Sequence, residues 1–204
     1  MTRLKKKIYK NNETVKESHN CYAYFLNEVD KDIIKDCKKT KKKHKKRRCR
    51  RPQPGYAVYY NNGERLIKAK NYNCKELTKR TLADNKSIYK TTFKKKCKKN
   101  YYKGALFLDP YNDYHYYRED KPGRWSHKQG WHIPSSVDAK GNKIKNPEKA
   151  EKKYKSPTKR NIYNKLCNYF CIPKDTKKKM SAYPNKKIWK IFGGTQKRRK
   201  RRKY

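Results

Sequence analysis

The fourteen residues KKTKKKHKKRRCRR, positions 38–51, hold eleven lysines and arginines and no acidic group. Such a stretch cannot enter a core, because a buried charge without a partner costs several kcal/mol. As a helix it would set like charges one turn apart, so it reads as a solvated loop inserted into whatever the rest of the chain folds into. A second run, KRRKRRK at 197–203, has the same character. The two blocks are only part of the excess: 61 Lys+Arg against 17 Asp+Glu give a net charge of +44, and removing those eighteen charges leaves +26. A compact chain carries that much charge only when an anionic partner or counterions screen it. Nucleic acid or another polyanion is therefore the expected partner, bound through phosphate neutralisation and without regard to base sequence. The candidate contacts are Lys41, Lys42, Lys43, Lys45, Lys46, Arg47, Arg48, Arg50 and Arg51 in the first block. Lys197, Arg198, Arg199, Lys200, Arg201 and Arg202 supply the second.

The 204 residues suffice for one domain with tails. With 33% hydrophobic and 38% charged residues, the core must lean on aromatics, chiefly the 19 tyrosines. Each buries a large apolar face and needs a partner for its hydroxyl. Lysine, asparagine, tyrosine and isoleucine dominate, the bias of an A/T-rich coding sequence, which weakens the functional reading of any single lysine. No stretch approaches the ~20 apolar residues that cross a bilayer, and MTRLKKKIYK lacks the apolar centre of a secretory signal. The expectation is a chain that is neither secreted nor membrane-bound. Its seven cysteines are then expected mostly as free thiols. In an oxidising particle, Cys167 with Cys171 or Cys37 with Cys49 could pair.

Along the chain, residues 1–17 read as a basic arm, 18–175 as a single domain with 38–51 as an inserted basic loop, and 176–204 as a basic extension. Asn20 or Ser18 can cap a helix on which Tyr22, Phe25, Leu26 and Val29 recur at helical spacing. RPQPGYAVYYNNGERLIKA reads as a hairpin over 56–69, and 75–99 reads as helical at first, with a second half too basic to assign. GALFLDP is a buried strand stopped by Pro110, and DYHYYRE and RWSHKQ flank a DKPG turn as a second hairpin. VDAKGNKIKNP holds a glycine turn, and Tyr163 to Ile172 is a last apolar segment.

Cys21 opens the predicted helix, where unpaired N–H groups and the helix dipole favour a thiolate. A nucleophile there needs a base, and histidine suits that role. Of the five histidines, His44 lies in the lysine block, and His19 could cap or shield the site. His115 and His127 fall on the two strands of the second hairpin, twelve residues apart. A two-residue turn at Pro122 and Gly123 would pair 121 with 124 and put the two histidines on opposite faces, whereas a longer loop or a bulge would restore them to one.

A cysteine opening a helix, a Pro-Gly turn entering a strand, a strand histidine and a second histidine a dozen residues on resemble the papain-like cysteine peptidases of the NlpC family. That family's Asp after the Pro-Gly turn is replaced by Tyr56, and the interval from Cys21 to His115 is long. The segments NCYAYFLN, PQPGYA, NDYHYYRED, GRWSHKQG, VDAKGNKI and CNYFCIP resemble an uncharacterised family seen in giant viruses and some bacteria, over roughly 18–175. The resemblance implies an α+β fold, a short N-terminal helix packed on an antiparallel β-sheet, with basic disordered extensions. It also implies a cysteine hydrolase acting on an amide bond: Cys21 as nucleophile, His115 as base, and His127 orienting His115. A viral source adds acidic virion proteins as partners and the virion, or the host cytoplasm or nucleus, as location. The competing expectation is a non-enzymatic virion protein that binds, condenses or anchors nucleic acid.

Other chemistries find little footing. The cysteines lack the paired knuckles of a zinc site, only CNYFC being close, so no metal is expected. No glycine-rich phosphate loop, GxGxxG or HExxH occurs, and no cofactor is expected. The tyrosines of KKNYYKG and YNDYHYYRED could stack on bases but read better as core residues. No recognition helix, zinc finger or RNP motif supports sequence-specific readout.

Overall fold

A computed structural model describes residues 6–58, 72–109, 113–155 and 160–183. Within them the chain is α+β. Five helices come first, α1 Lys6–Asn11, α2 Glu13–Ser18, α3 Cys21–Leu26, α4 Lys31–Lys43 and α5 Cys74–Asp84. The strands follow: β1 Tyr89–Thr91, β2 Tyr101–Asp109, β3 Asp113–Lys121, β4 Arg124–His127, β5 Lys153–Lys155, β6 Arg160–Ile162 and β7 Lys165–Pro173. An open antiparallel sheet runs β1-β7-β2-β3-β4, and β5 and β6 form a separate pair.

The sheet is covered on both faces. Against one lie α3 and α5, whose Tyr22, Phe25, Leu26 and Leu77 join Leu106, Leu108, Tyr114, Tyr116, Phe170 and Ile172. Against the other, Ala105, Phe107, Tyr117, Trp125 and Tyr169 meet Ile144 and Tyr163, with Ala150 and Tyr154 at the margin. The tyrosines do make up much of the core, and their hydroxyls are satisfied. Tyr22 donates to Asp84 Oδ2 at 2.8 Å, Tyr102 to the Phe25 carbonyl at 2.8 Å, and Tyr116 pairs with Thr81 Oγ1 at 2.6 Å.

α3 approaches the sheet where β2 has no side chain. A Cβ on Gly104 would stand 2.6 Å from Phe25 Cδ2 and 2.9 Å from Ile172 Cδ1. Buried Arg118 ties the same helix from β3: its guanidinium lies 3.8 Å from the Tyr24 ring centroid and donates to the Tyr24 carbonyl and Asn27 Oδ1.

Three expectations change. Residues 6–18 are not an extended arm but two short helices, because Tyr9 and Val15 are buried against Tyr24. The basic block is not wholly a loop, since α4 continues through Lys43. Asp30 caps it by accepting from the N–H groups of Asp32 and Ile33, Ile33 and Cys37 face inward, and the lysines gather in the last turn, where the helix dipole favours cations. The cysteines are not free thiols: Cys37–Cys49, Cys74–Cys167 and Cys97–Cys171 are disulfides, and Cys21 alone is free. Cys167 and Cys171 thus bond to separate partners rather than to each other. Of the hairpin expected over 56–69, residues 56–58 are turn; the rest falls outside the described residues, as does 197–203. The extension from 176 begins packed, with Lys178 and Ala182 buried.

Candidate functional site

Cys21 stands where expected, at the head of α3, after Asn20, whose side chain accepts from the Ala23 N–H and donates to the Pro52 carbonyl. Its surroundings are those of a core residue. It is 6% exposed and packs with Tyr114 and Tyr116. Burial pushes its thiol up to about 12, helped by the Asp113 carboxylate and opposed by the Tyr116 backbone N–H, Arg51 and Lys128. A six-residue helix does not offset that desolvation.

The two histidines do meet. Lys121 pairs with Arg124 across the two-residue turn, but the register then shifts, so that Glu119 faces Trp125 and Tyr117 faces His127. The bulge at Asp120 restores the parity that the tight turn would have lost. His115 Nε2 lies 2.9 Å from His127 Nδ1, and His127 Nε2 lies 3.1 Å from the Val137 carbonyl oxygen. A carbonyl only accepts, so His127 carries its proton on Nε2, and His115 donates to His127 Nδ1. Burial holds His115 well below the usual histidine range and lowers His127 to about 4. Both rings are neutral and sit among Tyr117, Tyr154 and Tyr163.

Cys21 is not brought to this pair. On β3 the residues beside Cys21 are Tyr114 and Tyr116, so His115, between them, points to the other face, with Phe107 opposite it in register. The sheet lies between thiol and imidazole, and the expected Cys21–His115 contact is not formed. His19 has a local role: Nδ1 bonds Ser18 Oγ at 2.7 Å, and Nε2 accepts from the Asp30 N–H at 3.0 Å, which fixes the α2–α3 junction.

Family models, curated proteins and solved structures give no match to this chain. The site therefore stands on its own geometry, and the other concentration of chemistry is the basic block.

The Cys37–Cys49 disulfide folds residues 44–51 back along α4. Between this segment and α2 opens a groove of about 550 Å³, lined by Glu13, Lys16, Glu17, Lys41, Lys45, Lys46, Arg48, Cys49, Arg51 and Trp131. Glu13 pairs with Lys16, and Glu17 with Lys41 at 2.7 Å. Lys45, Lys46, Arg48 and Arg51 have no carboxylate partner among the described residues. Arg48 and Arg51 lie over the Trp131 ring, 4.2 and 5.4 Å from its centroid. Lys42, Lys43 and Arg47 are exposed nearby, and Arg50 stacks on Tyr183 at 4.6 Å.

Trp131 escaped the sequence reading, and its placement has a local cause. The backbones of His127 and Ser135 exchange hydrogen bonds of 2.8 Å and close the loop between them. Inside, buried Lys128 donates at 2.7 Å to the carbonyls of Gly130 and of Lys16 in α2, which holds the loop against the groove wall. Desolvation lowers Lys128 to about 7. The one signal in the sequence was a tryptophan after Gln-Gly in a polar stretch. The metal-type cluster of Glu17, Cys37 and Cys49 offers no thiolate, since both sulfurs are in the disulfide. Among the described residues no helix is long and apolar enough to cross a membrane.

Proposed function

We propose that this chain is a nucleic-acid-binding protein of the non-enzymatic kind, which holds polyanions through the groove between α2 and the 44–51 segment. The observation that carries the reading is the set of four cations, Lys45, Lys46, Arg48 and Arg51, lining one groove without carboxylate partners among the described residues. Phosphates would displace their counterions, a term that gives affinity without base specificity. Three disulfides support a chain that completes its fold outside a reducing cytosol, as a packaged virion component would. The hydrolase reading has no comparable support, because the thiol is buried and protonated and its intended base lies across the sheet.

Fluorescence anisotropy of a labelled duplex DNA, titrated across a salt series, tests the proposal. Affinity should fall linearly on a log–log plot. The variant Lys45→Ala/Lys46→Ala/Arg48→Ala/Arg51→Ala in the full chain should flatten the slope by roughly 3 to 4 units, at about 0.9 per phosphate lost. An unchanged slope would remove this groove from the binding surface.

A further inference from the structure

A second groove, of about 470 Å³, opens at the same loop and is lined by His127, Gln129, His132, Ser135, Ser136 and apolar side chains, with no lysine, arginine or carboxylate among the described residues. Trp131 lines the first groove and is 43% exposed, and the ring of His132, which lines the second, stacks beside it at 6.2 Å and 30°. Ile133 and Val137 are also exposed. A loop tied by a backbone bridge and a buried lysine thus leaves Trp131, Ile133 and Val137 partly exposed, with Arg48 over the indole.

We propose that Trp131 is a stacking platform for an unpaired base, and that the two grooves together take a single-stranded nucleic acid. This rests on the polyanion reading and narrows it. The cations line one groove, and polar and apolar side chains line the other, as such a strand requires. Its phosphates meet Lys45, Lys46, Arg48 and Arg51, and its bases turn toward Trp131 and the polar side chains of Gln129, His132 and Ser135. A duplex buries its base faces in its own stack and offers only phosphates and groove edges. Every unpaired base has a face to stack, so the platform is tolerant of sequence. Arg48, already on the indole, can bridge it to the adjoining phosphate.

The test compares three ligands at one salt concentration: a mixed-sequence single strand, the duplex of that sequence, and heparin, which has charge but no bases. Trp131→Ala in the full chain should weaken the single strand roughly tenfold and change heparin and duplex by less than about threefold, and Trp131→Phe should recover most of the loss. Wild-type protein should also quench 2-aminopurine placed in the single strand, a readout independent of any variant's folding. Equal losses on all three ligands would mean that Trp131 only orders the arginines, and would overturn the proposal, as would a duplex bound as tightly as the single strand without quenching. Failure to bind even heparin would instead overturn the polyanion reading itself.

Discussion

At the scale of single residues, position in sequence and position in space part company at Cys21. Asn20, Cys21 and the helix they begin were legible, because capping and helical spacing are local. Burial is not local, and it decides the chemistry. A thiol pushed up to about 12 presents almost no thiolate at neutral pH. Iodoacetamide should therefore alkylate Cys21 far more slowly in the folded protein at pH 8 than in the unfolded chain, by at least a hundredfold, and His115→Ala should leave the folded rate unchanged. Mass spectrometry of the modified peptide reads both; a fast reaction slowed by His115→Ala would restore the cysteine–histidine pair. Lysine teaches a related lesson. Lys103, Lys128, Lys152 and Lys178 are buried, and all four donate to backbone carbonyls, so a count of lysines overstates the charge offered to a partner.

At the scale of elements, the second hairpin was readable, with strands that begin at Asp113 and Arg124 as expected and end at Lys121 and His127, yet the face each side chain takes was not. Alternation reveals a strand's inner face only when the other face is wet. Here Tyr114 and Tyr116 face α3 while His115 and Tyr117 face the opposite core, and all four are buried. Nothing in DYHYY says on which side the helix will lie. The bulge at Asp120 was likewise an open alternative, and what holds it is tertiary: Arg118, fixed on Tyr24, reaches Asp120 Oδ1 at 3.0 Å. The contact between α3 and the sheet depends in turn on Gly104. Gly104→Ala should force Phe25 and Ile172 aside and lower stability by about 1–3 kcal/mol, seen as a lower urea midpoint with an unchanged slope. A neutral result would mean that α3 can ride outward without cost.

At the scale of the whole molecule, the disulfides divide the chain into a framework and the segment proposed to hold polyanions. Cys37–Cys49 was among the pairings the sequence offered, but the other two were not legible, since cysteines 93 and 74 residues apart meet only through the sheet. Cys74–Cys167 ties α5 to β7, and Cys97–Cys171 ties the segment after β1 to the same strand, so both staple the framework. Cys37–Cys49 spans 12 residues and holds the cationic segment beside Trp131. Loop-closure entropy assigns about 3 kcal/mol to the short link and about 4–5 to the longest. The two kinds of loss should therefore separate. Cys74→Ser/Cys167→Ser should lower the urea midpoint more, while the protein that remains folded binds heparin and single strands as before. Cys37→Ser/Cys49→Ser should cost less stability but weaken binding of both ligands, because Lys45, Lys46, Arg48 and Arg51 then sample many arrangements and must be ordered at the moment of binding. Binding isotherms and urea curves on the two double variants check this, and equal affinity for the Cys37→Ser/Cys49→Ser protein would show that charge alone, without the shaped groove, carries the interaction.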